Sequence, residues 1–144
     1  MGYKQVDKSI TFAEISLTKA MERNRSLKRL ERINEVIDWD RVNTMLLSHY
    51  EAGNSNEGAD AYPPLILLKG LLLQKWYQIE SDPELENQIN DRISFKKFLG
   101  ISFDIASPDH STFCRFRGRL SKEAMRLINS EVIRQFTDKG LKIN

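Results

Sequence analysis

Apolar residues recur along this chain at intervals of three and four, the spacing that gathers them on one side of an α-helix. Leu27, Leu30, Ile33 and Ile37 form one such row, with Ser26 as its expected N-cap. Asp38 restarts the pattern, and Trp39, Val42, Met45, Leu46 and Tyr50 then share a side. Residues 11–24 are weakly amphipathic, and residues 1–10 carry no pattern, which predicts a loose N-terminal arm. No segment alternates in the manner of a strand. The nearest, Ile101–Ile105, is short and reads as a loop.

Pro63 and Pro64 suit the first turn of a further helix, where the N–H groups they lack would be unpaired. From there to about Gln78 the chain is apolar nearly all round, which predicts a helix central in a core or seated in an interface. Ser81-Asp82-Pro83-Glu84 is a start signal for a helix facing inward through Leu85 and Ile89. Ser94 is the expected cap of a short helix through Phe95, Phe98 and Leu99, closed by Gly100. After a loop over 101–108 comes a helix over 109–120. Ser121 then opens the last helix, with Ala124, Met125, Ile128, Val132 and Phe136 inward and Gly140 as its stop. The predicted fold class is all-α: a compact multi-helix bundle with a loose N-terminal arm. The polar, Gly-rich stretch 52–61 reads as a linker between a helical arm and helix pair (1–51) and a helical domain (62–144). The three short helices at about 83–91, 94–99 and 109–120 predict a helix-turn-helix-like unit, although 101–108 is longer than a tight turn.

The helix over 109–120 has two chemically opposed faces. Asp109 is a good N-cap for the N–H of Ser111 or Thr112. Phe113, Phe116 and Leu120 fall in one narrow sector, while Ser111, Thr112, Arg115, Gly118 and Arg119 fall opposite. Cys114 lies at the edge of the apolar side and is expected to pack, and Arg117 lies toward that edge as well. Gly118 leaves the backbone bare, which permits close approach of a phosphate or a neighbouring helix. An apolar back with a Ser/Thr/Arg front suits a helix that packs on a small domain while entering a DNA groove.

Charge sharpens this picture once it is divided along the chain. The formal net charge is only +2, and residues 1–80 hold 11 Lys/Arg against 11 Asp/Glu. Residues 92–126, however, hold eight basic residues (Arg92, Lys96, Lys97, Arg115, Arg117, Arg119, Lys122, Arg126) against three acidic (Asp104, Asp109, Glu123). Residues 19–32 carry six against two. Local basic charge is the footprint of a polyanion partner. Ser111, Thr112, Arg115 and Arg119 are therefore expected to contact bases, and Arg92, Lys96, Lys97, Arg117, Lys122 and Arg126 to contact phosphates. Arg23, Arg25, Lys28 and Arg29 are candidates for an auxiliary arm on backbone or minor groove.

Catalytic chemistry finds little footing. The only histidines, His49 and His110, are distant from each other, and the single Cys114 excludes both an internal disulfide and a zinc pattern. No glycine loop is placed to cradle a phosphate. Asp38 and Asp40 read as caps, and Asp82, Glu84 and Glu86 are explained by the helix dipole. Asp109, His110 and Ser111 are consecutive and cannot aim at one another as a triad. No catalytic residue, metal site or cofactor is expected in this chain. The longest apolar run, Leu65 to Leu73, is interrupted by Lys69 and falls short of the roughly 20 residues of a membrane span, so a cytoplasmic, nucleoid-associated protein is expected.

Several motifs in order resemble a known family. Ile37-Asp38-Trp39, then Tyr62-Pro63-Pro64-Leu65 leading into Leu71-Leu72-Leu73-Gln74-Lys75-Trp76-Tyr77, are similar to the N-terminal region of IS5-type insertion-sequence transposases. So are Ser81-Asp82-Pro83-Glu84-Leu85-Glu86, Asn90-Asp91-Arg92-Ile93-Ser94-Phe95, Phe98-Leu99-Gly100, and Pro108-Asp109-His110-Ser111-Thr112 with Phe116-Arg117 and Arg119-Leu120. The resemblance implies a cut-and-paste transposase whose N-terminal helical domain binds the element's terminal inverted repeats and assembles the protein pair. It also implies a following RNase-H-like domain in which two Asp and one Glu hold divalent metal, Mg. This chain stops at Gly140–Asn144, about where that domain would begin, so the triad and its metal are carried onto no residue here. The expected function is binding of double-stranded DNA at the inverted repeats by an N-terminal piece without the catalytic domain, partnered by a second copy or by full-length transposase. Two alternatives stand beside it: a protein–protein dimerisation module using the 63–78 helix and the last helix, and a truncated regulator that represses transposition.

Overall fold

A computed structural model of the protein describes Lys4 and residues 24–50 and 62–140. Among these residues there are seven α-helices and no strand: α1 (Arg25–Val36), α2 (Trp39–His49), α3 (Pro64–Trp76), α4 (Asp82–Asp91), α5 (Ile93–Leu99), α6 (His110–Gly118) and α7 (Lys122–Asp138). The 52–61 stretch, residues 1–3 and 5–23, and Arg23 with them, lie outside the described residues.

Most helix starts follow the expected caps. Asp38 accepts the Arg41 N–H at 3.2 Å, Ser81 that of Glu84 at 3.2 Å, and Ser121 that of Ala124 at 3.0 Å. Two expected caps are displaced. α1 is capped by Asn24, whose Oδ1 accepts the Leu27 N–H at 3.0 Å, so Ser26 already lies inside the helix. Asn caps as well as Ser does, and the earlier residue extends the helix by about half a turn. α5 starts at Ile93, with Arg92 serving at once as the last cap of α4 and the first of α5. Ser94 is therefore buried inside α5, because the chain turns Phe95 into the core with no room for a separate capping residue. Gly100 closes α5 at φ 82°, the left-handed conformation in which a Cβ is strained. α3 ends at Trp76, and Gln78 (φ 55°) then turns the chain so that Ile79 enters the core.

α3 is the centre of the molecule. Its residues 66–73, Lys69 and Gly70 included, are all buried. α2, α5 and α6 pack directly on it, α1 lies on α5, α4 lies on α5 and α6, and α7 lies along α2. One core cluster draws on both sides of the 52–61 stretch, from Leu30, Ile33, Val42 and Leu46 to Phe136. The all-round apolarity of α3 is thus explained by burial within one chain, and the surface on which a dimer through the 63–78 helix would depend is already covered. Among the described residues no helix is long and apolar enough to cross a membrane.

Gly70 has a specific packing role. A Cβ built there would stand 2.4 Å from Cε1 of Phe113, so only a bare backbone lets the α6 ring seat against α3. Beside it, Lys69 crosses the core to a small polar hub. Its ammonium donates to Asn34 Oδ1 at 3.0 Å and to the Phe98 carbonyl at 2.9 Å, and it lies over the rings of Trp39 and Phe98. Asn34 also accepts from Trp39 Nε1 at 3.0 Å and donates to the Phe98 carbonyl. The hub joins α1, α2, α3 and α5. A second tie joins α2 to α7: buried Glu131 accepts from Arg41, Arg134 and Gln135, which holds its carboxyl down to about 2, with Arg134 as the largest cause. Gln135 in turn accepts the Asp38 N–H.

Burial lowers the Lys69 pKa from 10.5 to about 8. The unfolded chain therefore binds the extra proton between those two values, and stability rises with pH across that window. Denaturation of the wild type from pH 8 to above 10.5 is expected to gain up to about 2–3 kcal/mol relative to a Lys69→Met variant, in which this titration is absent. Parallel stability curves for the two proteins over that range would contradict a buried, charged Lys69.

Candidate nucleic-acid interface

α6 is fastened at both ends by side chains. At its start, Asp109 Oδ1 accepts the Thr112 N–H, the Ser111 hydroxyl and the Thr112 hydroxyl, each at 2.8 Å. These bonds, the backbone one largest, hold the Asp109 carboxyl at about 2. Glu86 of α4 accepts the His110 N–H at 2.8 Å and lies 3.1 Å from the His110 ring. At the other end Arg117 donates twice to Asp82 of α4 (2.8 and 3.0 Å) and once to Gln74 of α3 (2.7 Å). Gln74 also donates to Asp82 at 3.0 Å. The hydrogen bond from Arg117 is the largest cause of the low Asp82 pKa, and the same bond raises that of Arg117. Asp82 and Glu86 are one helical turn apart, so a single face of α4 grips both ends of α6.

The apolar back is as the spacing implied: Phe113, Phe116 and Leu120 are buried. Tyr50, at the end of α2, packs its ring 5.0 Å from that of Phe116. The outer side carries Ser111 and Thr112, half-buried beside their cap, with Arg115, Gly118 and Arg119 exposed. Arg119 is the C-cap, and its N–H donates to the Arg115 carbonyl at 3.2 Å, so the two arginines keep their one-turn spacing. Cys114, expected to pack, is exposed. It lies about 100° beyond Phe113, on the far side from Phe116 and Leu120, so it turns out of the apolar sector and joins the solvent face. A methyl added at Gly118 would meet nothing within 4 Å, so no neighbouring helix among the described residues accounts for that glycine.

The cations expected at phosphates separate into two groups. Lys122 is exposed. The others are engaged within the molecule. Lys96 is 7% exposed, its ammonium donates to the carbonyls of Phe103 (3.0 Å) and Ile105 (2.6 Å), and burial lowers its pKa. It fastens the 101–108 loop rather than presenting charge to solvent. Arg92 is half-buried, with its guanidinium 4.8 Å from the Phe95 ring centre and 5.5 Å from that of Tyr77. Lys97 lies 4.0 Å from Glu31 of α1, Arg117 is bound by Asp82, and Arg126 pairs with Glu123 one turn back. Counting charge along 92–126 hid this because Glu31, Asp82 and the loop carbonyls are not neighbours in sequence. By contrast Arg25, Lys28 and Arg29 are exposed on α1, and so is Arg32, which was not singled out.

Among the described residues there is no group of three or more His, Cys, Asp or Glu placed to hold a metal ion. A cleft of about 360 Å³ between α3, α6 and α7 is floored by Leu71, Leu72, Ile79 and Met125, and its arginine, Arg117, is the one bound by Asp82.

A family model described as a transposase domain (DUF772) matches residues 16–119. The chain belongs to this transposase-domain family. No solved structure matches it. The matched span takes in α1 to α6 and ends at Arg119, the C-cap of α6, so the transposase domain includes the whole of the α4–α6 clamp. Membership points to a role in transposition.

In this transposase domain Arg117 is a structural clamp. Arg117→Gln is expected to cost about 1 kcal/mol, seen as a fall of about 3–5 °C in Tm. Because the folded pKa of Asp82 lies below its usual 3.8, this contribution is present above that pH and is lost as acid protonates the carboxylate. The gap in Tm between wild type and variant should therefore narrow at acid pH, and a gap independent of pH would count against the Asp82 pairing.

Proposed function

We propose that this domain recognises duplex DNA at the terminal inverted repeats of a transposon of the IS5 type, using α6 as its base-reading helix. The observation that carries the reading is the outer face of α6, where Ser111, Thr112, Arg115 and Arg119 share one side, with the bare backbone of Gly118 at its edge, on a helix gripped at both ends. A helix of this width enters a B-DNA major groove, and a rigid hold at both ends is what register along base edges requires. Arginine pairs best with guanine O6 and N7, while the Ser111 and Thr112 hydroxyls, whose protons go to Asp109, are left as acceptors for amino groups on the bases. The cap hydrogen bonds keep Ser111 and Thr112 at the mouth of the helix, where the N-terminal turn meets the groove in helix-turn-helix readers. α4, α5 and α6 act together as that reader, with the 101–108 loop, fastened by Lys96, in place of a tight turn. Lys122 adds a phosphate contact at the start of α7. In a complete transposition reaction this domain selects and pairs the element's ends, and strand chemistry belongs to an RNase-H-like domain.

Two measurements test the reading. In a selection from random duplexes followed by binding titrations, Arg115→Ala is expected to relax preference at one base pair by about 1–3 kcal/mol. Lys122→Ala should instead weaken all sequences alike and reduce the salt slope by about 1. Equal losses on selected and random DNA for Arg115→Ala would sink the base-reading assignment. Gly118→Ala supplies a contrast of sign. With open space for the methyl, it should stabilise the fold by about 0.4–1 kcal/mol in chemical denaturation while weakening binding to the selected site. Unchanged affinity in that variant would mean that no partner approaches the α6 backbone there.

A further inference from the structure

We propose that the outer face of α1 is the main phosphate-backbone contact of this domain, a sequence-independent duplex-DNA surface separate from the base-reading face of α6; it rests on the DNA-binding reading above. Leu27, Leu30 and Ile33 turn α1 inward onto the core. Arg25, Lys28, Arg29 and Arg32 stand on the opposite side at i, i+3, i+4 and i+7, all four exposed. They form a stripe about 10 Å long at the helical rise of about 1.5 Å per residue. Neither acid of α1 lies within it. Glu31 is turned toward α5, where Lys97 lies 4.0 Å away, and Glu35 flanks the stripe. Among the described residues none of the four cations has a carboxylate or other polar partner.

The comparison with the rest of the molecule gives the stripe its weight. Arg41 and Arg134 are bound by Glu131, Arg117 by Asp82 and Arg126 by Glu123, while Lys69 and Lys96 are buried on carbonyl oxygens. The basic excess that sequence counting places at 92–126 is thus largely consumed inside the fold, and α1 carries the densest group of unpaired positive charge among the described residues. Like charges one turn apart repel, and an anionic partner relieves that repulsion. Duplex DNA offers one negative charge per roughly 1.7 Å of axis, dense enough to meet each member of the stripe. A lipid surface is the poorer match. A helix that binds in the membrane interface needs a free apolar face, and that of α1 is already packed in the core.

The test uses the full chain, a fluorescently labelled random-sequence duplex, and anisotropy titrations between about 50 and 200 mM salt. The variant Arg25→Gln/Lys28→Gln/Arg29→Gln/Arg32→Gln is expected to lower the salt slope by about 2–4 and the low-salt affinity by at least about tenfold. The pairs Arg25→Gln/Arg29→Gln and Lys28→Gln/Arg32→Gln should each show about half the slope change, which keeps the question answerable if the fourfold variant folds poorly by circular dichroism. Arg115→Gln/Arg119→Gln should chiefly lose preference for the selected site. A wild-type slope in folded α1 variants overturns the assignment to α1 while leaving the DNA reading intact. A wild-type chain that binds no duplex at low salt overturns both. A chain that binds phosphatidylserine vesicles through the α1 stripe and leaves duplex DNA unbound overturns the choice of partner.

Discussion

The ring of Phe113 lies against the bare backbone of Gly70, and the orientation of α6, with its outward face, follows from that contact. α3 is apolar on all sides, so by itself it would accept a neighbouring helix in many positions. The missing side chain at Gly70 removes that freedom. It opens a single slot, and Phe113 fills it closely enough that even a methyl group would collide. With Phe113 seated, Phe116 and Leu120 must face α3 and the end of α2, and the remaining positions of α6 must face outward. The polar clamps complete what the slot begins. An apolar contact fixes how closely α6 approaches but only weakly fixes its slide and tilt. Directional bonds from the His110 N–H to Glu86 and from Arg117 to Asp82 fix those.

Charge in this domain divides into a part that folds the chain and a part left over. Lysine and arginine side chains that reach inward are held by carbonyl oxygens, rings or carboxylates from distant segments: Lys69 by Asn34 and Phe98, Lys96 by the loop, Arg92 by Tyr77 and Phe95, Arg117 by Asp82. Cations held in this way contribute rigidity and give up most of their long-range field. Exposed on the surface are the arginines of α6 and the stripe on α1. Their chemistries differ. α6 mixes arginine with hydroxyls and bare backbone, a surface suited to discriminating among base edges. The α1 stripe offers positive charge alone, suited to a phosphate chain of any sequence.

The sequence made the helices legible and the charge map illegible, for physical reasons that can be traced residue by residue. Rows such as Leu27, Leu30, Ile33 or Phe113, Phe116, Leu120 are local records of a buried face, and Asp38, Ser81, Asp109 and Ser121 cap helices beginning at the next residue. These relations span a few residues, so spacing reveals them. Ser26 and Ser94 misled because cap choice depends on how neighbouring helices abut: Asn24 was an equally good cap farther out, and Arg92 had to serve two helices at once. Cys114 misled because an apolar sector has two edges, and only packing shows which one closes. The fates of Arg92, Lys96, Lys97 and Arg117 were hidden altogether, because their partners arrive through tertiary contact. The role of Gly70 was equally invisible, since its reason for being a glycine lies more than 40 residues away at Phe113.

Gly70 and Gly118 together separate folding constraint from functional constraint on the same helix pair. Gly70 lies inside its helix, where glycine costs about 1 kcal/mol relative to alanine, and Gly118 is the last residue of α6. Gly70 returns that cost through packing, since a Cβ there would strike Phe113. Gly118 returns nothing to the fold: its surroundings are open, and the backbone it exposes faces away from the core, between Arg115 and Arg119. A helix that carries a bare glycine at the edge of its outward cationic face, while its inward face is packed to the limit of contact, has its two sides shaped by different demands. The inward side answers to α3. The outward side, open around Gly118 among the described residues, is not shaped by that packing.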